Sequence, residues 1–286
     1  MALKHIVGLD HIVVLVRDLD GAAETWRRLG FTLAPRGTHS AHIGTGNYTI
    51  MLGADYIELI GVLTETAHNA PSRALLARRG EGIERAALTT TDAAAGVEEL
   101  LAHGIPGIGP IDVGRPVTLP DGRKTEARFR VFQWPLEEAP AGLRIFACEH
   151  LTRDAVWIPG LQRHANGATG IVRIEIVSAE PDRDAAHMAR LLDWRTEREP
   201  DGALRVASGE SRGAFVFLTS DVLAQRYPAV PRDGMPSDGA ASLVLATSDV
   251  EAAARAIGPA GIRRGQAVYA PPARANGVLL AFEQHR

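Results

Sequence analysis

The chain has 286 residues, a formal net charge of −3 and a hydrophobic fraction of 45%, enough for one large or two medium domains with a buried core. The small net charge gives no reason to expect nucleic acid or an anionic membrane as a partner, and no apolar run approaches the ~20 residues of a membrane-spanning helix. The single cysteine, Cys148, excludes an internal disulfide and fits a reducing compartment. Because no long apolar stretch opens the chain, we expect a cytoplasmic protein of mixed α and β structure.

The first sixty or so residues predict a β-α-β-β-β unit. Its opening strand is apolar and β-branched, as in a buried strand. Asp18 or Asp20 can cap the following helix, and Gly30 can close it in a left-handed conformation. A loop rich in glycine and histidine then leads into the remaining strands. The strands predicted for this unit are residues 6–16, 31–34, 47–52 and 56–63.

The same pattern returns along the chain. Asp92 lies 74 residues after Asp18, as Gly104 does after Gly30, so a second cap and a second helix end match the first. A third unit begins near residue 170, and a fourth follows in which one strand is missing from the pattern. We therefore predict an α+β fold of four βαβββ modules in two pairs. The predicted domains are a first pair at 1–150 (modules 1–63 and 82–150), a connection at 151–169 and a second, degenerate pair at 170–286.

Four stretches carry a resemblance to a known family: LDHIVVLVRDLDGAAETWRRLGF from Leu9, GTGN from Gly44, DYIELIGV from Asp55 and LPDG from Leu119. The chain resembles the vicinal oxygen chelate superfamily and, within it, the glyoxalase-like branch of the glyoxalase, bleomycin-resistance and dioxygenase fold. The resemblance is strongest up to residue 150. It implies that paired modules curl into a cup, with metal ligands from the first and last strands of each module. Because the superfamily includes isomerases, lyases, dioxygenases and metal-free drug-binding proteins, it implies the fold more firmly than the reaction.

His11 and Glu58 lie within apolar strands, where burying either without a partner is costly. They match two ligand positions of the family pattern, and neighbouring strands can direct both toward one divalent ion. Such a set suits Zn, Mn, Fe or Ni without choosing among them. The alternative is a hydrogen-bonded pair inside the cup with no ion.

The second module departs from the ligand pattern. Arg85 stands at the position of His11 and cannot bind a metal, and Phe146 or a near neighbour stands at that of Glu58. His150 is the candidate third ligand, or else a strand-end residue at the surface. Inside the cup, Arg85 would bind Glu58 or a substrate carboxylate or phosphate. Outside it, Arg85 would be an edge-facing surface residue.

Four further residues are candidates for contact with substrate. His39 and His42, in the loop before the third strand, can supply a general acid or base, or be exposed loop residues. Asn47 can donate a hydrogen bond to a substrate carbonyl, or form a turn with the adjacent glycines. Gln133 can line the pocket late in its strand.

The favoured interpretation is an enzyme acting on a small oxygen-rich molecule, with a metal ion or Arg85 polarising a carbonyl or enediolate oxygen. His42 or Glu58 would move a proton. The rival interpretation is a metal-free protein that sequesters a small molecule in the same cup. A third is that one pair of modules is structural and contributes to a homodimer. In the C-terminal pair the matching strands offer Val172 and apolar neighbours, so we expect no metal site there.

Overall fold

The structure is a computed structural model that describes residues 3–119, 122–231 and 235–285. It contains two eight-stranded mixed sheets, each assembled from two βαβββ modules. This confirms the predicted α+β fold class. Part of the LPDG stretch and part of the link at residues 227–239 lie outside the described residues. In the part of the chain that is described, no helix is long and apolar enough to cross a membrane.

The N-terminal sheet has the order β2-β3-β4-β1-β5-β8-β7-β6, and its terminal strands β2 and β6 lie near each other, so the sheet is curled and nearly closed. The helices of the two modules cover its outer face, and an extra helix between the modules packs on the inner face. The elements are β1 (Ile6–Val16), α1 (Leu19–Arg28), β2 (Gly37–Thr38), β3 (Thr45–Met51), β4 (Tyr56–Val62), α2 (Ala70–Arg79), β5 (Gly82–Thr90), α3 (Ala93–Ala102), β6 (Ile108–Thr118), β7 (Lys124–Gln133) and β8 (Arg144–His150).

The predicted caps set the ends of the first two module helices. The Asp18 carboxylate accepts from the backbone N–H of Gly21, and the Asp92 carboxylate accepts from those of Ala94 and Ala95. These bonds satisfy N–H groups that have no partner within the helix. Gly30 follows the first helix with φ of +84°, a conformation that costs glycine little. The strand expected at residues 31–34 is wrong, because the short β2 forms further along.

The C-terminal sheet repeats this arrangement in the order β10-β11-β12-β9-β13-β16-β15-β14. The fourth module is complete, so the expectation that it lacks a strand is wrong: the three-residue β14 was too short to leave a pattern. The elements are β9 (Ala168–Val177), α4 (Pro181–Leu191), β10 (Thr196–Arg198), β11 (Leu204–Ala207), β12 (Ala214–Leu218), α5 (Ser220–Arg226), β13 (Gly239–Thr247), α6 (Val250–Ile257), β14 (Ile262–Arg264), β15 (Ala267–Ala270) and β16 (Leu279–Gln284).

Helix α5, which the sequence pattern did not reveal, fills the inner face of the C-terminal sheet. Leu223 and Tyr227 pack there against strand residues that include Val216 and Val244. Arg226 at the end of the helix pairs with Glu175, which is fully buried, at 2.8 Å. The inner face of this half is therefore occupied by its own chain.

The two halves share one continuous core. At their junction, Asp55 in the turn before β4 accepts hydrogen bonds from the backbone N–H of Ile171 in β9, at 3.1 and 3.2 Å. Trp26 of α1 donates to the side chain of Asn276 in the other half. Burial raises the pKa of the Asp55 carboxyl to about 7, which outweighs the bonds from Ile171.

We expect Leu223→Ala to destabilise the protein by about 2–5 kcal/mol, because truncation of a fully buried leucine leaves a cavity under α5. Chemical denaturation measures the loss. Gln225→Ala on the exposed side of the same helix is the control and should change the free energy of unfolding by less than about 0.5 kcal/mol. Equal effects of the two substitutions would show that α5 does not fill this sheet.

Asp55 makes stability depend on pH in a defined direction. Because its folded pKa lies above the ordinary 3.8, the folded state binds more protons than the unfolded state between these values. Stability should therefore fall as pH rises from about 4 to about 7. Between pH 5 and pH 8, the free energy of unfolding of the wild type should fall by roughly 2 kcal/mol more than that of Asp55→Asn. Parallel pH dependences of the two proteins would contradict this assignment.

Candidate active site

A cavity of about 560 Å³ lies inside the curled N-terminal sheet, and both His11 and Glu58 line it. His11 in β1 is only 3% exposed. Its Nε2 atom lies 3.7 Å from Oε2 of Glu58 in the neighbouring strand β4. Parallel pairing of the two strands places Glu58 opposite Val13, two residues after His11. The sequence therefore brings this histidine and this carboxylate together in one cavity.

Asp10 contacts His11 through Nδ1, the ring nitrogen on the side away from Glu58. The pairing of β1 with β5 shifts register between Leu9 and His11. This bulge allows the consecutive side chains of Asp10 and His11 to contact each other. His11 Nδ1 lies 2.6 Å from a carboxylate oxygen of Asp10. Asp10 is fully buried and also accepts from Thr89 Oγ1 of β5 at 2.7 Å and from His150 Nε2 of β8 at 3.0 Å.

These contacts fix the charge and the tautomer of the site. Burial alone would raise the pKa of the Asp10 carboxyl, but the bonds from His11 and His150 hold it well below its usual range. Because an ionised carboxylate only accepts hydrogen bonds, His11 Nδ1 carries the proton. In the neutral ring, Nε2 therefore presents a lone pair toward Glu58 and the cavity. The ring of Tyr56 stacks on His11 with centroids 4.2 Å apart and limits its rotation.

Glu58 is held by Asn47, whose side-chain amide donates to Oε1 at 2.5 Å. Asn47 is buried in β3 and lines the cavity, so the alternative of a turn with the adjacent glycines is wrong. Because the Asn47 amide binds Oε1 of Glu58, the other carboxylate oxygen, Oε2, points toward His11. The role of Asn47 in the structure is therefore to orient Glu58.

Arg85 lines the cavity but is already paired. It stands at the position of His11 in the second module, and Phe146 stands at that of Glu58, because Phe146 pairs with Ala87, two residues after Arg85. Its guanidinium donates to Glu84 at 2.6 Å, and Arg144 donates to the other oxygen of Glu84 at 2.9 Å. The expected salt bridge between Arg85 and Glu58 is therefore absent among the described contacts.

Glu84 is a second bulged residue, in the shift of register between Val13 and Val14. It is almost completely buried and also accepts from Ser72 of α2 at 2.6 Å. Burial would raise the pKa of this carboxyl, but Arg85, Ser72 and Arg144 together lower it. Glu84 therefore stays ionised and takes up much of the positive charge of both arginines.

The structure does not bring His150 to the point shared by His11 and Glu58. The side chain lies behind Asp10 and beside Trp157, and its Nδ1 atom is buried without a partner among the described residues. Its ligand atom lies within 4.8 Å of those of Asp10 and Cys148. Asp10 is already engaged by three donors, and burial raises the pKa of the Cys148 thiol well above its ordinary value.

His42 also lies away from the cavity. It is exposed in the loop before β3, where its ring contacts Ser40 and His68. His39 of the same loop lines the cavity instead, and burial lowers its pKa. Gln133 lines the cavity at an exposed position, as predicted from its place late in β7.

Two residues that matter here were not singled out from the sequence. Asp10 was visible in the LDHIV stretch, but strict strand alternation would send it to the face opposite His11. Arg115 lies in β6 and lines the cavity. Its strand is mostly exposed, but Ile111, Val113 and Val117 alternate with the intervening residues in phase with Arg115, and this period of two is the signal that could have marked an inward arginine.

The comparisons with known proteins agree with this fold. The glyoxalase-like domain family matches residues 9–192 of the chain. No curated protein sequence is significantly similar to it. Because the match covers more than half of the chain and begins two residues before His11, it includes both modules of the N-terminal sheet and the start of the second half.

Solved structures resemble the chain over nearly its whole length. A hypothetical protein from Staphylococcus aureus has a TM-score of 0.67 at 13% identity, covering 97% of this chain and 99% of that one. A mutant of 4-hydroxymandelate synthase from Streptomyces coelicolor has a TM-score of 0.62 at 12% identity, covering 98% and 93%. A fusion of a xylose isomerase-like TIM barrel with 4-hydroxyphenylpyruvate dioxygenase has a TM-score of 0.63 at 15% identity, covering 99% of this chain and 50% of that one.

At these identities the solved structures show a shared fold and nothing about substrate. The family match, the paired modules and the curled sheets agree with the resemblance found in the sequence. The chain therefore belongs to the glyoxalase-like domain family.

Proposed function

We propose that the protein is an enzyme that moves a proton at a carbon beside a carbonyl group of a small oxygen-rich substrate. The observation that carries this proposal is the pairing of His11 Nε2 with the Glu58 carboxylate, 3.7 Å apart in a cavity of about 560 Å³. Two proton-accepting groups in one cavity can lie on opposite sides of a single substrate carbon atom. The fixed tautomer of His11 leaves Nε2 as a hydrogen-bond acceptor, 3.5 Å from the Tyr56 hydroxyl, and able to act as a base.

The step requires a base, a place for the electron pair and a route for the proton to return. His11 Nε2 or Glu58 takes the proton from carbon, and the electron pair moves to the carbonyl oxygen, giving an enolate. Arg115 and Arg85 line the cavity, and the part of their positive charge that Glu84 does not compensate stabilises the new negative charge. Delivery of a proton to the opposite face of that carbon completes an epimerisation, and departure of a leaving group with its electron pair from the neighbouring carbon completes a lyase reaction.

His11 and Glu58 also fit a divalent ion. A separation of 3.7 Å is compatible with two donors that each lie about 2.0–2.2 Å from one ion. Phe146 at the matching position of the second module offers no ligand, so water or substrate would complete the coordination. Such an ion, whether Zn, Mn, Fe or Ni, would polarise a substrate carbonyl oxygen.

The second candidate is a binding protein that sequesters a small molecule without changing it. Phe146 and Phe129 line the cavity, and aromatic surface of this kind is typical of ligand pockets. This candidate predicts tight binding of a ligand with no proton exchange and no turnover.

The two candidates are separated by proton exchange. We expect the wild type, in D₂O with and without added Zn, Mn or Ni, to exchange a carbon-bound proton of at least one member of a panel of small oxo acids and hydroxy ketones. Proton NMR follows the exchange. His11→Ala and Glu58→Gln should each slow it about 100-fold or more, since each removes a proton-transfer group. His103→Ala, at an exposed helix end, is the matched control. Exchange that is insensitive to both substitutions would contradict the assigned roles, and binding without exchange would support sequestration.

Asp10→Asn should also slow this exchange, by about 10–100-fold, with both proton-transfer groups still present. An amide at this position no longer requires His11 Nδ1 to carry the proton, so part of the population presents N–H instead of a lone pair to the cavity. Asp112→Asn changes an exposed carboxylate of β6 and serves as the control. An Asp10→Asn protein with full exchange activity would show that the tautomer does not matter.

A further inference from the structure

We infer that the ligand of this cavity is an amphipathic carboxylate, with its carboxylate on Arg115 and its apolar part against Ile108, Ile111 and Leu136. The inference rests on the proposed function in that it concerns the same cavity. It goes further by naming the chemical class of the ligand and by assigning the anion contact to a residue other than Arg85.

The positive charge of Arg115 is not balanced within the described part of the chain. No carboxylate among the described residues lies within ion-pair distance of it. Arg85 and Arg144, by contrast, share Glu84. A half-buried guanidinium beside a cavity favours an anion, and its planar fork matches the two oxygens of a carboxylate.

The position of Arg115 places the ligand carboxylate next to His11 and Glu58. A Cβ atom added at Gly37 would lie 3.3 Å from Nη1 of Arg115 and 2.1 Å from Oδ1 of Asn47. The guanidinium therefore lies close to Asn47, whose amide holds Glu58. A carboxylate bound there presents its neighbouring carbon toward Glu58 and His11. The absence of a side chain at Gly37 leaves the space for this approach.

Much of the exposed lining of the cavity is apolar, although Gln133 and Glu137 are also exposed there. Ile108 and Ile111 of β6 are 45% and 47% exposed, and Leu136 after β7 is 48% exposed, yet all three line the cavity. Single exposed apolar residues are ordinary, but several around one opening mark a surface that a ligand covers. Val113 and Val131 continue this surface inward. The charge at Arg115 and the apolar lining together match a ligand with one anionic end and one apolar end.

Isothermal titration calorimetry with 4-phenylbutanoate, its neutral amide 4-phenylbutanamide and acetate tests both ends of the ligand. We expect the wild-type protein to bind the acid at least 10-fold more tightly than either the amide or acetate. Arg115→Met should weaken binding of the acid about 10–100-fold and leave that of the amide unchanged, while Arg115→Lys should retain part of the preference. The matched control is Arg128→Met, an exposed arginine on the opposite face of the adjacent strand β7.

Equal affinity for acid and amide, no measurable binding of the acid, or an unchanged affinity in Arg115→Met at an unchanged melting temperature would each overturn the anion contact. Acetate binding as tightly as 4-phenylbutanoate would overturn the apolar part. These measurements report binding alone. Their failure therefore leaves the proton-transfer roles of His11 and Glu58 standing, while loss of those roles in the exchange assay would leave a carboxylate-binding cavity.

Discussion

The site depends on one buried negative charge. Asp10 is completely shielded from solvent and remains ionised because donors from three strands, His11 of β1, Thr89 of β5 and His150 of β8, reach it. An isolated carboxylate at this depth would be strongly destabilising. The same contacts tie the first module to the second and hold the imidazole that lines the cavity. One set of hydrogen bonds therefore both joins the two modules and fixes the tautomer of His11.

The four modules share a plan but differ in what occupies the inside of each sheet. In the N-terminal half, α2 packs only part of the inner face, through Leu76 against Val13 and Leu15, and leaves the cavity open. In the C-terminal half, α5 packs across the inner face with Leu223 and Tyr227. The chain thus uses one pair of modules to build a site and the other to build a filled core that supports it.

Within the N-terminal pair, the two modules are also unequal. The positions that carry His11 and Glu58 in the first module carry Arg85 and Phe146 in the second. The cavity is therefore asymmetric, with a histidine and a carboxylate on one side and an arginine and aromatic surface on the other. Such asymmetry suits a substrate with distinct ends, and Arg115, which has no carboxylate partner among the described residues, adds to it.

Much of the fold could be predicted because its signals are local. Helix caps such as Asp18 and the 74-residue offset that it shares with Asp92 need no knowledge of tertiary structure. The pairing of His11 with Glu58 followed from alternation within two regular strands. Alternation fails at the bulges, which is why the partnership of Asp10 with His11 escaped the sequence pattern.

Other features escaped because they depend on tertiary packing. The three-residue strand β14 is too short for a period to be recognised. His150 is the last residue of β8, and its side chain contacts buried Asp10, a partner that the sequence pattern does not indicate. The exposure of His42 depends on a loop conformation that composition does not determine.

The most direct test of this account is the tautomer of His11, measured by ¹⁵N NMR of histidine-labelled protein at pH 8. The account predicts that Nδ1 of His11 carries the proton and that Nε2 is unprotonated, since Asp10 can only accept a hydrogen bond. His150 should show the opposite pattern, with the proton on Nε2. A His11 ring with its proton on Nε2 would contradict the account, because the cavity would then face a donor where the proposed chemistry requires a base.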